Sequence, residues 1–259
     1  MDFIQVERRD HVTTITLNRP AVMNAINPAM HEELQTAFDT FAADADQFIC
    51  VVTGAGDRAF CAGSDLKAPV PADGSRHYPQ DGYAGLIERF DLNKPVIAAV
   101  NGLALGGGFE IALACDVILA ADTASFGLPE PLVGAVALGG GVHRLTRQIG
   151  LKRAMGMILT SQRVSAAEGL ALGFVNEVVP AGQLQAATAR WCAAILKGSP
   201  MSIRASKETA MRGLDEPSLA DAMRAQGDYP AFAAWRVSED AKEGRLAFAE
   251  KRPPEWKGR

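Results

Sequence analysis

Pro95-Val96-Ile97-Ala98-Ala99-Val100-Asn101-Gly102-Leu103-Ala104-Leu105-Gly106-Gly107-Gly108-Phe109-Glu110 is the stretch whose reading decides the fold of this chain. The run from Pro95 to Val100 is apolar without interruption and too short for an ordinary helix, so it reads as a strand buried on both faces. After the turn at Asn101-Gly102, the run Gly106-Gly107-Gly108 opens an apolar helix from Phe109 to Ala114, with Glu110 in its first turn. Strand, glycine turn and helix in this order leave bare backbone N–H groups at a helix N-terminus, where negative charge is favoured. Phe48 to Thr53, closed by Gly54-Ala55-Gly56-Asp57, repeats the design and leads into a second glycine loop, Phe60-Cys61-Ala62-Gly63-Ser64-Asp65. A backbone donor aimed at a developing oxyanion is worth about 10²–10³ in rate. The two loops together point to enolate chemistry.

Outward from these loops, Val117 to Ala120 and Val175 to Val179 read as further short buried strands with helices between them, which makes the core α/β. The N-terminus reads as a hairpin of Phe3 to Glu7 and Val12 to Leu17 around Arg8-Arg9-Asp10-His11. Asn27 as N-cap and Pro28 at the first helical position open a helix carrying Met30, Leu34, Phe38 and Phe41, which is expected to end near Ala45. Pro69 to Asp81, rich in proline and without periodicity, reads as a mobile flap. From about Gly182 the pattern turns helical, over Leu184 to Leu196, Ser202 to Met211 and Leu219 to Phe232. The tail from Ser238 to Arg259 mixes Phe248 and Trp256 with many charges, a composition that a lone monomer would struggle to bury.

Composition excludes several classes of function. The hydrophobic share of 48% and charged share of 22% are those of an ordinary globular protein. A net charge of -4, without a dense Lys/Arg run, argues against nucleic acid as partner. The cysteines Cys50, Cys61, Cys115 and Cys192 are scattered, as expected of reduced thiols, and a cytoplasmic location is expected. Charges at the N-terminus speak against a signal peptide, and no apolar run reaches membrane-spanning length. The histidines His11, His31, His77 and His143 are isolated, so no metal site is expected. The spacings GxGxxG, GxxxxGK[ST] and GxSxG are absent, which disfavours nucleotide cradling and serine hydrolysis.

Two acids stand out. Glu110 is either an ordinary first-turn acid favoured by the helix dipole or an acid–base group beside the glycine loop. Glu130, within Phe126-Gly127-Leu128-Pro129-Glu130-Pro131, is either a surface-turn residue or a carboxyl whose pKa is raised by apolar neighbours, as a general acid needs. Two converging carboxylates can position a water and pass protons to an adjacent carbon, each for about 10²–10⁴ in rate. Cys61 is a tempting nucleophile, but a small buried thiol is the commoner case.

Several segments together resemble the crotonase (enoyl-CoA hydratase/isomerase) superfamily, end to end: Leu17-Asn18-Arg19-Pro20 with Asn24-Ala25, Phe60 to Lys67, Lys94 to Gly102 running through Gly106-Gly107-Gly108-Phe109-Glu110, Ala121 to Glu130, and Phe248-Ala249-Glu250-Lys251-Arg252. Gly82-Tyr83-Ala84-Gly85-Leu86, Ser238-Glu239-Asp240-Ala241 and Glu255-Trp256-Lys257-Gly258-Arg259 narrow the resemblance to one branch of that family. It implies a spiral of repeated ββα units over residues 1–197, carrying the coenzyme A and acyl site, and a C-terminal helical oligomerisation region over 198–259, with trimers or dimers of trimers. It implies an acyl-CoA thioester as substrate, with coenzyme A part of that substrate and no prosthetic group. The resemblance places the oxyanion-hole N–H groups at Ala62 and Gly107 and the catalytic glutamates at Glu110 and Glu130. Asn24, Ala25, Gly63, Ser64, Asp65, Leu66 and Lys67 fall in segments lining the coenzyme A site, and Phe248 and Lys251 in a tail reaching a neighbouring subunit's coenzyme A. Both glutamates being present favours hydration or dehydration; an isomerase needs one acid, and a crotonase-fold assembly protein needs neither. The chain departs from the family pattern at Ala135-Val136-Ala137-Leu138, with alanine where proline is expected, which implies a different acyl pocket.

Overall fold

The computed structural model describes residues 1–68 and 78–259, so most of the flap expected at Pro69 to Asp81 lies outside the described residues. β1 (Ile4–Arg9) and β2 (Val12–Leu17) form the expected antiparallel hairpin, turning at Asp10 and His11, both at positive φ. α1 (Pro28–Ala43) starts where Asn27 Oδ1 accepts the Met30 N–H at 2.9 Å, and it buries Met30, Leu34, Phe38 and Phe41. A unit then recurs: one buried strand in a large sheet, one short strand in a second sheet, then a helix or helical turn. Its copies are β3 (Ile49–Gly54) with β4 (Ala59–Cys61), then β5 (Val96–Val100) with β6 (Leu103–Leu105) and α2 (Gly107–Ala114), then β7 (Val117–Ala121) with β8 (Ser125–Gly127) and a 3-10 turn at Glu130–Val133.

The chain continues through α3 (Gly141–Ile149), α4 (Leu151–Thr160), β9 (Val164–Ser165), α5 (Ala166–Leu172), β10 (Glu177–Val179) and α6 (Leu184–Leu196). It closes with α7 (Pro200–Gly213), α8 (Leu219–Ala225), α9 (Pro230–Val237) and α10 (Glu239–Glu250). Among the described residues the large sheet has the order β1-β2-β3-β5-β7-β10 and is parallel except for the hairpin; the small sheet has the order β4-β6-β8-β9 and is parallel except at β8–β9. All five residues of β5 are buried, as its uninterrupted apolar run requires of a central parallel strand.

The α/β reading holds, with corrections at several elements. The small sheet goes beyond the sequence reading because its strands span two or three residues, too few for a period to register. The helix expected from Leu219 to Phe232 is two helices, since Pro230 cannot donate into a preceding turn and instead starts α9. Only Glu177–Val179 of the expected strand Val175 to Val179 is extended, and α2 begins at Gly107 rather than Phe109. The tail divides. Asp240, 1% exposed, accepts hydrogen bonds from Ser199 Oγ and from the Lys257 and Gly258 N–H groups, which folds the C-terminus back and half-buries Trp256. Phe248 stays 87% exposed. No helix among the described residues is long and apolar enough to cross a membrane.

Candidate active site

β4, β6 and β8 lie side by side and parallel, so the segments leaving their carboxyl ends emerge together, the position where parallel sheets receive ligands. From β4 comes the loop Ala62-Gly63-Ser64, from β6 the Gly106-Gly107 opening of α2, and from β8 the turn carrying Glu130. The first two loops touch: a Cβ on Gly63 would sit 3.3 Å from the Gly107 nitrogen, and one on Gly108 would collide with the Cys61 carbonyl. Glycine at these positions is what lets two chains approach a common point.

The structure corrects one half of the expected oxyanion hole. The Ala62 N–H donates to the Met23 carbonyl at 3.0 Å and is not free to serve a substrate. Two residues on, the chain makes a parallel bridge between Ile26 and Ser64, with Ile26 N–H bonded to the Gly63 carbonyl and Asp65 N–H to the Ile26 carbonyl, each at 2.9 Å. In such a bridge the intervening N–H faces away from the partner, and the Ser64 N–H finds no acceptor among the described residues. The Gly107 N–H, first in α2, also finds none among the described residues, as a helix's first donors do not within the helix itself. Ser64 and Gly107 therefore hold the free donors.

Glu110 is 3% exposed, and its Oε1 accepts the Gly141 N–H at 2.8 Å. Burial pushes its pKa up to about 7, the neighbouring Glu130 adds to the rise, and the Gly141 bond opposes it. A methyl on Gly139 would overlap its Oε2, so the glycines before α3 form a cradle fitted to this carboxylate. Glu130 approaches from the other strand: its Oε1 lies 2.8 Å from where a Cβ on Gly106 would stand, and its Oε2 is buried without a partner among the described residues. Burial raises this carboxyl too. The apolar neighbours Leu132, Val133, Val136 and Leu138 are exposed by 60% or more.

The other expected residues divide. Asn24 is fully buried at φ 55°; its Nδ2 donates to the Ala55 and Ala59 carbonyls and its Oδ1 accepts the Arg19 N–H, which ties the N-terminal segment to the β3–β4 turn. Arg19 joins the Ala25 carbonyl to Asp65, whose carboxyl it holds below its usual range through an ion pair at 3.0 Å. Leu66 is 72% exposed and Lys67 is exposed beside it, open to a ligand. Phe248 and Lys251 lie on and just after α10, which packs on α7 and α9. Burial pushes the Cys61 thiol up to about 12, the inert case. Sequence reasoning passed over Tyr83, which is 2% exposed and packs against Gly107, and the Gly139–Gly141 cradle. The glycines flanking Tyr83-Ala84, at 82 and 85, and the run Gly139-Gly140-Gly141 were the available signals.

Against known proteins, the pattern of the enoyl-CoA hydratase/isomerase family matches residues 7–259. A carnitinyl-CoA dehydratase from Proteus mirabilis is 42% identical over 99% of this chain and 98% of its own. Its namesake from Escherichia coli is 41% identical over the same shares. Among solved structures, an enoyl-CoA hydratase from Mycobacterium tuberculosis superposes with a TM-score of 0.91 at 38% identity, covering 99% of both chains. One from Bacillus anthracis superposes at 0.88 with 36% identity, covering 99% of this chain and 100% of its own. The chain belongs to the enoyl-CoA hydratase/isomerase (crotonase) family.

Proposed function

We propose that this protein reversibly hydrates a 2-enoyl-CoA thioester, or dehydrates the 3-hydroxyacyl-CoA in the reverse direction. The observation that carries the reading is the meeting of two carboxyls, buried Glu110 and half-buried Glu130, with two backbone donors that find no acceptor among the described residues, Ser64 and Gly107, at the ends of β4, β6 and β8. The thioester carbonyl accepts from the Ser64 and Gly107 N–H groups, which makes the β-carbon electrophilic. Glu110, as carboxylate, takes a proton from water while the water oxygen bonds to the β-carbon. The alkene electrons move onto the thioester oxygen. As that enolate collapses, Glu130 gives its proton to the α-carbon, so one water has been added and the pair still holds one proton. Burial raises the pKa of both carboxyls, so the pair holds a proton more readily than two exposed acids would.

The relatives named carnitinyl-CoA dehydratase favour an acyl group carrying a β-hydroxyl and extend the candidate substrates to a trimethylammonium acyl chain. The helices from residue 198 onward serve assembly into trimers, in which Phe248 and Lys251 meet a neighbour's coenzyme A; the 87% exposure of Phe248 supports this role. The test is a substrate panel of crotonyl-CoA, crotonobetainyl-CoA and a 3-enoyl-CoA, followed for water addition. Hydration of a 2-enoyl-CoA is expected. Conversion of only the 3-enoyl ester without net water would make the protein an isomerase, and absence of both turnover and thermal stabilisation by coenzyme A esters would make it an assembly protein.

A further inference from the structure

Tyr83 stands where the two loops meet. Its ring lies against the Gly107 backbone so closely that a methyl on Gly107 would overlap Cζ, Cε1 and the hydroxyl oxygen. Its hydroxyl accepts a hydrogen bond from Ser64 Oγ at 3.3 Å. The phenol therefore touches both residues whose N–H groups are free, and its own proton has no acceptor among the described residues. Burial raises its pKa well above the usual range, so it remains a neutral donor at any working pH.

The segment that holds it is built for position at the expense of backbone comfort. Ala84 sits at φ 59°, a left-handed conformation that a residue with a Cβ rarely adopts, and Gly82 and Gly85 on either side are also at positive φ. The Ala84 N–H donates at 2.9 Å to Nδ1 of buried His31. That bond needs the neutral imidazole, and burial lowers the His31 pKa to about 4. Gly85 is wedged against the Gln35 backbone, and the His31 ring packs edge-on to Tyr83 at 4.6 Å between centroids. Strain at one turn, braced from α1 on several sides, fixes one side chain at the oxyanion site.

We propose that the Tyr83 hydroxyl, oriented by Ser64 Oγ, is a third donor to the thioester oxygen beside the Ser64 and Gly107 N–H groups. The inference rests on the hydratase reading above. It assigns Tyr83 to transition-state stabilisation, strongest once the oxygen carries the enolate charge, and therefore to kcat rather than to substrate binding. Tyr83→Phe keeps the ring and removes the donor; Ser64→Ala keeps the backbone N–H and removes the hydroxyl that aims the phenol.

The experiment pairs steady-state kinetics on the best substrate of the panel with the absorbance of bound 4-dimethylaminocinnamoyl-CoA, which moves to longer wavelength as the thioester carbonyl is polarised. For Tyr83→Phe a loss of about 10²-fold in kcat is expected, with KM within about threefold and a smaller red shift. Ser64→Ala is expected to lose about tenfold, with an intermediate shift. Wild-type kcat and red shift in both variants overturn the inference, as does a kcat loss with an unchanged shift, since the phenol would then act away from the thioester oxygen. A wild-type protein that neither turns over nor shifts the chromophore overturns the hydratase reading itself.

Discussion

The surroundings of the two acids differ. Glu110 is wrapped by the fold: α2 carries it, Gly141 donates to it, Gly139 makes room for it, and it is 3% exposed. Glu130 stands on a short 3-10 turn, with one oxygen buried and unpartnered among the described residues, and Leu132, Val133, Val136 and Leu138, which follow it in the chain, are exposed. One carboxyl is enclosed by the fold and the other stands half-open on its turn. In the proposed mechanism this division is useful, because the fixed acid would set the water's position while the open one would meet acyl groups of varied shape.

The strongest way to break the comparison is to neutralise each acid in turn. Glu110→Gln and Glu130→Gln are each expected to lose about 10²–10⁴ in turnover on crotonyl-CoA while still binding coenzyme A esters. Near wild-type turnover in either variant removes that acid from the mechanism.

A stability measurement sharpens it further. The Glu110 pKa is raised in the folded state from 4.5 to about 7, so the native protein binds this proton more tightly than the unfolded chain does. Stability from this group is full below pH 4.5 and is lost as pH rises through 7. Glu110→Gln removes the penalty of ionising in place, so the variant is expected to exceed the wild type by up to about 3 kcal/mol at pH 8 and by nothing at pH 4. Denaturant titrations at the two pH values check this, and Glu130→Gln is expected to gain less, its site being more open.

The smallest effect belongs to the open side. Leu132→Ser, at a side chain 75% exposed, is expected to change protomer stability by no more than about 0.5 kcal/mol while raising KM for enoyl-CoA esters. A large fall in thermal midpoint would show that the Glu130 turn is as tightly packed as the Glu110 cradle.

Much of this was legible in sequence. The strands β3, β5 and β7 announce themselves as uninterrupted apolar runs, and α1 carries its own start signal in Asn27-Pro28. Glu110 stands out as a first-turn acid after the glycine run, while Gly107 as a donor was implied only by the family resemblance. The small sheet was not legible, because strands as short as β9 have no period, and neither was the break before α9. Tyr83 stayed hidden because nothing local marks an aromatic residue as the neighbour of a glycine that opens a helix 24 residues further on.

The amino-acid sequence by itself determined the order of strand, glycine loop and helix and marked two acids as candidates, because these depend on side-chain chemistry over a few consecutive residues. Only the tertiary structure decided which backbone donors are available. It bonds the Ala62 N–H to Met23 and leaves the Ser64 and Gly107 N–H groups without partners among the described residues. It also buried Glu110, half-buried Glu130 with one of its oxygens enclosed, and set Tyr83 between the loops. A hydrogen-bond partner and a desolvated charge are properties of what packs alongside, and packing brings together segments that the chain holds far apart.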